Sequence, residues 1–251
     1  MLLHGIPGQA RAWERVQAEL ETAFDVVVPD LVGFGNSERP MIPTIANVGP
    51  AAQAALVAQL LDELAVPRAT IVGHDFGAPV GVLLAVERPD LVAGLSLLAG
   101  NTFPDTPIPF PLSLSTLPVA GDLFSRLLFS APALRLMLRR GTGPGAAAPD
   151  ENVYLGDHRQ RRTIATIFSG ALARLAELYG PVAAGLEDIE VPVLVGWGDH
   201  DPFFPLEQGE RTAAAVNAPL RVFPGAGHFL PHERPVEVAE EIAAFATAAS
   251  E

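Results

Sequence analysis

The 251-residue chain contains no cysteine and no lysine. Without cysteine, a disulfide framework and thiolate metal sites are excluded. Every basic residue is therefore arginine, and 16 basic residues face 29 acidic ones for a net charge of −13. That balance argues against nucleic acid or an anionic membrane as partner. Long apolar runs are also lacking: no segment reaches the roughly 20 apolar residues that span a bilayer. The opening Met1-Leu2-Leu3-His4 has no basic stretch leading into an apolar core, so no signal peptide is read and a cytoplasmic location is expected. Aromatic residues make up only 7%, with two tyrosines in all, Tyr154 and Tyr179. Apolar residues still reach 49%, which is the range of a folded globular chain. The length suits one core with a small lid, acting on a small neutral molecule as a monomer or homodimer.

Short apolar runs alternate with longer helical patterns. Residues 25–30 (DVVVPD), 69–73, 94–100, 191–198 and 219–225 read as buried strands, rich in Val, Ile and Leu as parallel sheets are. Helical spacing covers 10–20, 51–64, 78–87, 208–216 and 235–246. The alternation predicts an α/β fold with a mostly parallel sheet and helices on both faces. Residues 1–100 and 191–251 form its core. The interval 101–190 is too long for an ordinary crossover and reads as an inserted helical cap, with a proline-dense start, helical segments near 121–139 and 160–179, and a loop at 139–151. The chain opens on LLHGIPG, the end of a strand and its following loop, so the first strands of such a sheet are expected to be missing.

The chemistry gathers at strand ends. In Gly73-His74-Asp75-Phe76-Gly77 a carboxylate stands between two glycines, after a strand and before a helix. Such a tight turn lifts its central side chain above the carboxyl ends of the strands, where open α/β sheets bind ligands. Asp199 and Asp201 follow a later strand, and His228 follows the last one. A nucleophile, a base and a carboxylate that orients the base are the parts of a triad.

Five segments in order, HGIPG (4–8), DLVGFGNS (30–37), GHDFGA (73–78), WGDHDPFFP (197–205) and GAGHF (225–229), resemble the α/β-hydrolase superfamily. The resemblance implies Asp75 as nucleophile, Asp201 as triad acid with Asp199 second, and His228 as base. It implies an oxyanion hole from the backbone N–H groups of Ile6 and Phe76, and no cofactor or metal. An Asp nucleophile resembles epoxide hydrolases and haloalkane dehalogenases, because a carboxylate can displace a group from saturated carbon as an alkyl ester. Dehalogenases typically follow the nucleophile with Trp, where this chain has Phe76, and offer Asn where it has Ile6. Epoxide hydrolases draw an acid from cap tyrosines, here Tyr154 and Tyr179, with His158 a substitute. The expected activity is opening of a small apolar epoxide to a diol, and the alternatives are dehalogenation or a non-catalytic binding protein on the same fold. His4, His74 and His232 read as structural, Asp30 with Gly33-Phe34-Gly35 as a turn supporting the site, and residues 159–162 as a solvated arginine face, with binding of a substrate carboxylate the alternative. Phenylalanines 103, 110, 124, 129 and 168 read as mainly core, with some lining an apolar pocket.

Overall fold

The computed structural model describes residues 1–251 except 43, 111, 118, 119, 156, 157, 250 and 251. Five strands form one parallel sheet in the order β1 (Leu2–Leu3), β2 (Ala69–His74), β3 (Val92–Leu98), β4 (Val193–Gly198) and β5 (Leu220–Phe223). The registers place Leu3 beside Gly73, Gly73 beside Leu97, and Leu97 beside Val195, so the strand ends form one line.

Side chains alternate across a strand, and the two faces find different helices. Leu3, Ile71, Leu95, Leu97, Val195 and Trp197 face α3 (Pro50–Glu63), α4 (Gly77–Glu87) and α10 (Leu206–Ala215). Leu2, Val72, Leu98 and Phe223 face α1 (Glu14–Leu20) and α12 (Pro235–Ala248), through Val16, Leu20, Val238 and Ile242, and the short helices α2 (Ile45–Val48) and α11 (Leu230–Glu233) precede α3 and α12. Helix α4 is buried along nearly its whole length, which explains why its sequence is apolar on every side rather than striped.

Between β3 and β4 the chain forms α5 (Gly121–Leu128), α6 (Ala131–Gly141), α7 (Glu151–Leu155), α8 (His158–Ala173) and α9 (Leu175–Gly185). The expected single segments 121–139 and 160–179 are each two helices. The loop between α6 and α7 is 142–150, shorter than the expected 139–151.

Two further readings are corrected. Residues 25–30 are not a strand of the sheet. Their tie to it is a hydrogen bond from the Leu2 N–H to the Val27 carbonyl, 2.9 Å, and Pro29 has no N–H with which to extend a ladder. Phe110, expected in the core, is 78% exposed. Among the described residues no helix is long and apolar enough to cross a membrane.

Candidate active site

The turn between β2 and α4 carries Asp75 with φ +51°, a left-handed conformation that costs a non-glycine residue energy and persists only where the surroundings enforce it. Its flanking glycines are what the packing allows. A Cβ on Gly73 would stand 2.2 Å from the Gly77 carbonyl oxygen, and one on Gly77 2.3 Å from that of Leu3. The Asp75 N–H is held by the Leu98 carbonyl, 3.0 Å, which fixes the turn to the end of β3.

The Asp75 carboxylate is divided between two functions. Oδ1 accepts the Ile6 backbone N–H at 2.5 Å. The Phe76 N–H, the second expected donor, follows Asp75 in the turn and favours its charged form. Oδ2 lies 3.6 Å from His228 Nε2. The other imidazole nitrogen, Nδ1, donates to Asp201 Oδ2 at 2.9 Å. Asp201 is itself fixed: its Oδ1 accepts the N–H groups of Phe203, 2.8 Å, and Phe204, 3.0 Å. Asp199, the second choice, is engaged elsewhere, accepting the Gly225 N–H and pairing with His200, both at 2.7 Å.

Electrostatics follow from enclosure. Burial raises the Asp75 pKa, opposed by His228 and the two backbone donors. Burial alone would lower that of His228, but the charge and hydrogen bond of Asp201, helped by Asp75 and Glu233, carry it above its ordinary value. His74 packs its ring 5.0 Å from that of His228 and bonds the His228 carbonyl at 2.8 Å. Burial pushes its pKa down to about 3, so it is a neutral donor at this carbonyl. Glu233 accepts three backbone N–H groups: Gly143 at 2.8 Å, Gly227 at 3.0 Å and Phe229 at 3.1 Å. Its carboxylate clasps the loop around His228 to the end of α6. Asp30 holds the turn below the site, accepting the N–H of Ala10 at 2.7 Å and of Asn36 at 2.8 Å.

Above Asp75 lies a cavity of about 100 Å³. Its walls are apolar, with Ile6, Phe76, Phe129, Phe168, Phe203, Phe204 and Phe229 among them, and its polar groups are Asp75, His228, Asn101, Thr106 and Tyr179. Tyr179 therefore faces the same space as Asp75. Tyr154 does not line it, contrary to expectation, and packs edge-on against Phe229 with ring centroids 5.3 Å apart. Both phenols are pushed up by burial and by the charge of Asp75. The side chains of His158, Arg159 and Arg162 lie outside the described residues.

Asn101 escaped the sequence reading. Its Oδ1 accepts the Phe103 N–H, 3.1 Å, and the Thr106 hydroxyl, 2.6 Å. A backbone N–H can only donate, so the carbonyl end of the amide faces it and the NH₂ end faces away. Asn101 lines the same cavity as Tyr179, and its influence partly offsets the rise of the Tyr179 pKa. The signal available was its position, three residues past a parallel strand at the end where such sheets bind ligands.

The strained strand–turn–helix, the backbone donors and the histidine–carboxylate pair define a hydrolase of the α/β fold. The family model for the alpha/beta hydrolase fold matches residues 1–235, and the chain belongs to this family. It is 30% identical to the uncharacterized protein Rv2715 of Mycobacterium tuberculosis, over 98% of this chain and 74% of that protein. It is 26% identical to a soluble epoxide hydrolase of Corynebacterium sp., over 94% and 85%. Among solved structures, the 2-hydroxy-6-oxo-6-phenylhexa-2,4-dienoate hydrolase of Rhodococcus sp. superposes with a TM-score of 0.83 at 24% identity, covering 97% of this chain and 88% of that one.

Proposed function

We propose that the protein is a cofactor-independent hydrolase that opens a small apolar epoxide to a diol through an ester on Asp75. One observation carries this reading: at an apolar cavity that Tyr179 also lines, the elbow presents a carboxylate whose Oδ1 accepts the Ile6 N–H and whose Oδ2 lies 3.6 Å from His228 Nε2. Asp75 Oδ2 attacks an epoxide carbon. The C–O bond breaks, its electron pair goes to the epoxide oxygen, and that oxygen takes the Tyr179 proton. Asn101 Oδ1 is committed to the Phe103 N–H and the Thr106 hydroxyl, so what its amide has left to offer a developing tyrosinate is the NH₂ donor.

Water then attacks Cγ of Asp75 and gives a proton to His228 Nε2. Negative charge collects on Oδ1, which accepts the Ile6 N–H, with the Phe76 N–H next in the turn. Collapse releases the diol oxygen, which takes the proton back from His228, and the remaining proton restores Tyr179. Asp201 holds the imidazole with Nδ1 protonated throughout, leaving Nε2 as the base.

Two rival substrates fit less well. A halide leaving group needs N–H donors from side chains beside the nucleophile, and Phe76 and Ile6 offer none. Neither Trp13 nor Trp197 lines the cavity, and the Trp197 indole N–H is committed to the Phe204 carbonyl at 2.8 Å. A dienoate such as the one in the name of the Rhodococcus hydrolase carries a carboxylate, and no arginine is among the described cavity-lining residues.

The test is a single turnover in ¹⁸O-water with enzyme in excess over an aryl epoxide. The label is expected in the peptide containing Asp75 and not in the diol. Label in the diol with none in the peptide refutes the ester. A parallel panel of bromoalkanes that releases bromide, while epoxides give no diol, transfers the reading to dehalogenation.

A further inference from the structure

The peptide unit between Gly5 and Ile6 has two ends, and both are engaged. Its N–H donates to Asp75 Oδ1 at 2.5 Å. Its carbonyl oxygen, on Gly5, lies 3.0 Å from His4 Nδ1. The far nitrogen of that ring, Nε2, is 3.0 Å from the backbone nitrogen of Leu31. The Leu31 N–H can only donate, so His4 Nε2 must be the bare nitrogen and Nδ1 must carry the proton. The ring is 1% exposed and stands edge-on to Phe34, 5.3 Å between centroids, so it has no room to turn. Burial also lowers its pKa, which keeps it in this neutral form.

A chain of donors therefore runs from the Leu31 N–H through the imidazole and the Gly5–Ile6 peptide to Asp75. Each hydrogen bond accepted at one end of a polar group strengthens the one donated from the other. We propose that His4 is a positioning residue for the oxyanion pocket: by donating to the Gly5 carbonyl it orients and polarises the peptide whose N–H receives the negative charge on Asp75. The kinetic part of this proposal rests on the ester mechanism above. The structural part does not.

An asparagine places its amide nitrogen near where histidine has Nδ1, and a glutamine places its amide near Nε2. The two variants therefore separate the two bonds. His4→Gln keeps an acceptor for Leu31 and loses the donor to Gly5. His4→Asn keeps the donor to Gly5 and loses the acceptor. The first measurement is the amide proton shift of Ile6 by NMR, without substrate. It is expected to move upfield in His4→Gln and to stay near the wild-type value in His4→Asn. The second is the rate of ester breakdown after mixing with an aryl epoxide, read by rapid quench and intact-protein mass. His4→Gln is expected to slow breakdown by about tenfold, while His4→Asn stays within about threefold.

A role confined to holding the fold predicts no such split, because there the rate would follow the thermal midpoint of each variant. An Ile6 amide unmoved in His4→Gln, or equal breakdown rates in the two variants, overturns the proposal. Wild-type enzyme that forms no ester with any epoxide refutes the functional reading instead, and the amide shift still decides the relay. Should His4→Gln fail to fold, the ring nitrogen shifts of His4 in the wild-type protein decide the structural part: Nδ1 protonated and Nε2 bare is expected, and the opposite tautomer overturns the proposal.

Discussion

Replacing Asp201 by asparagine should convert the enzyme into one that captures substrate and does not release it. The structure dictates how the new amide must sit. Two backbone N–H groups, of Phe203 and Phe204, converge on Oδ1, and they accept only an oxygen as partner. The amide nitrogen is then turned toward His228 Nδ1, now 2.9 Å from a carboxylate oxygen. Donor would meet donor unless the imidazole moves its proton to Nε2, and a protonated Nε2 cannot take one from water. The wrong tautomer costs on the order of 10⁴-fold in a histidine-dependent step, about 5.5 kcal/mol of barrier. Ester formation does not use His228 as a base and should fall far less. On mixing with an aryl epoxide, the intact mass of Asp201→Asn should rise by one substrate mass and persist for hours, with at most one diol released per enzyme. Ester breakdown within tenfold of wild type would refute the reasoning, since it would mean that the Nδ1 contact does not set the tautomer.

Three further outcomes follow from the same contacts. Tyr179→Phe should slow ester formation by about 10²-fold and leave ester breakdown unchanged, whereas Tyr154→Phe should alter either rate by less than about threefold; rapid-quench mass measurements on both variants decide it. His74 is depressed to about 3 in the folded protein, so the unfolded chain takes up its proton below pH ~6.5 while the folded one does not. Stability should therefore fall with pH across that window, at about 1.4 kcal/mol per unit for this group, and urea melts from pH 6.5 to 4.5 should show the slope reduced in His74→Gln; an identical slope would contradict the assignment. Glu233→Gln leaves one of three backbone donors facing an amide NH₂, and should cost about 2–3 kcal/mol in urea melts and roughly 5–10 °C in Tm.

The segment around Asp75 was legible because local signals agree there. A Val/Ile run, two glycines at close-contact positions and an apolar helix all call for one turn. The order Asp75, then Asp199 or Asp201, then His228 likewise followed from strand ends, and the preference for Asp201 from the resemblance. The choice of Asp201 over Asp199 rests in the structure on which carboxylate meets the N–H groups two and three residues ahead, a backbone detail that composition does not carry. Residues 25–30 look like a strand since Val content records half-burial and not pairing, and among the described residues the segment's backbone bond to the sheet is the one at Val27. Tyr154 lies on a helix barely more than one turn long, and its contact with Phe229 comes from seventy-five positions later. Asn101 stayed hidden, and His4 was legible only as structural, for a related reason. Their partners are Phe103 and Thr106 in one case and Gly5 and Leu31 in the other, and no periodicity announces such contacts.

The clasp made by Glu233 has a consequence for how the molecule can breathe. One carboxylate tethers both the segment after α6, at Gly143, and the loop that carries His228, at Gly227 and Phe229. The two segments share one anchor, so displacing either strains the bonds that hold the other.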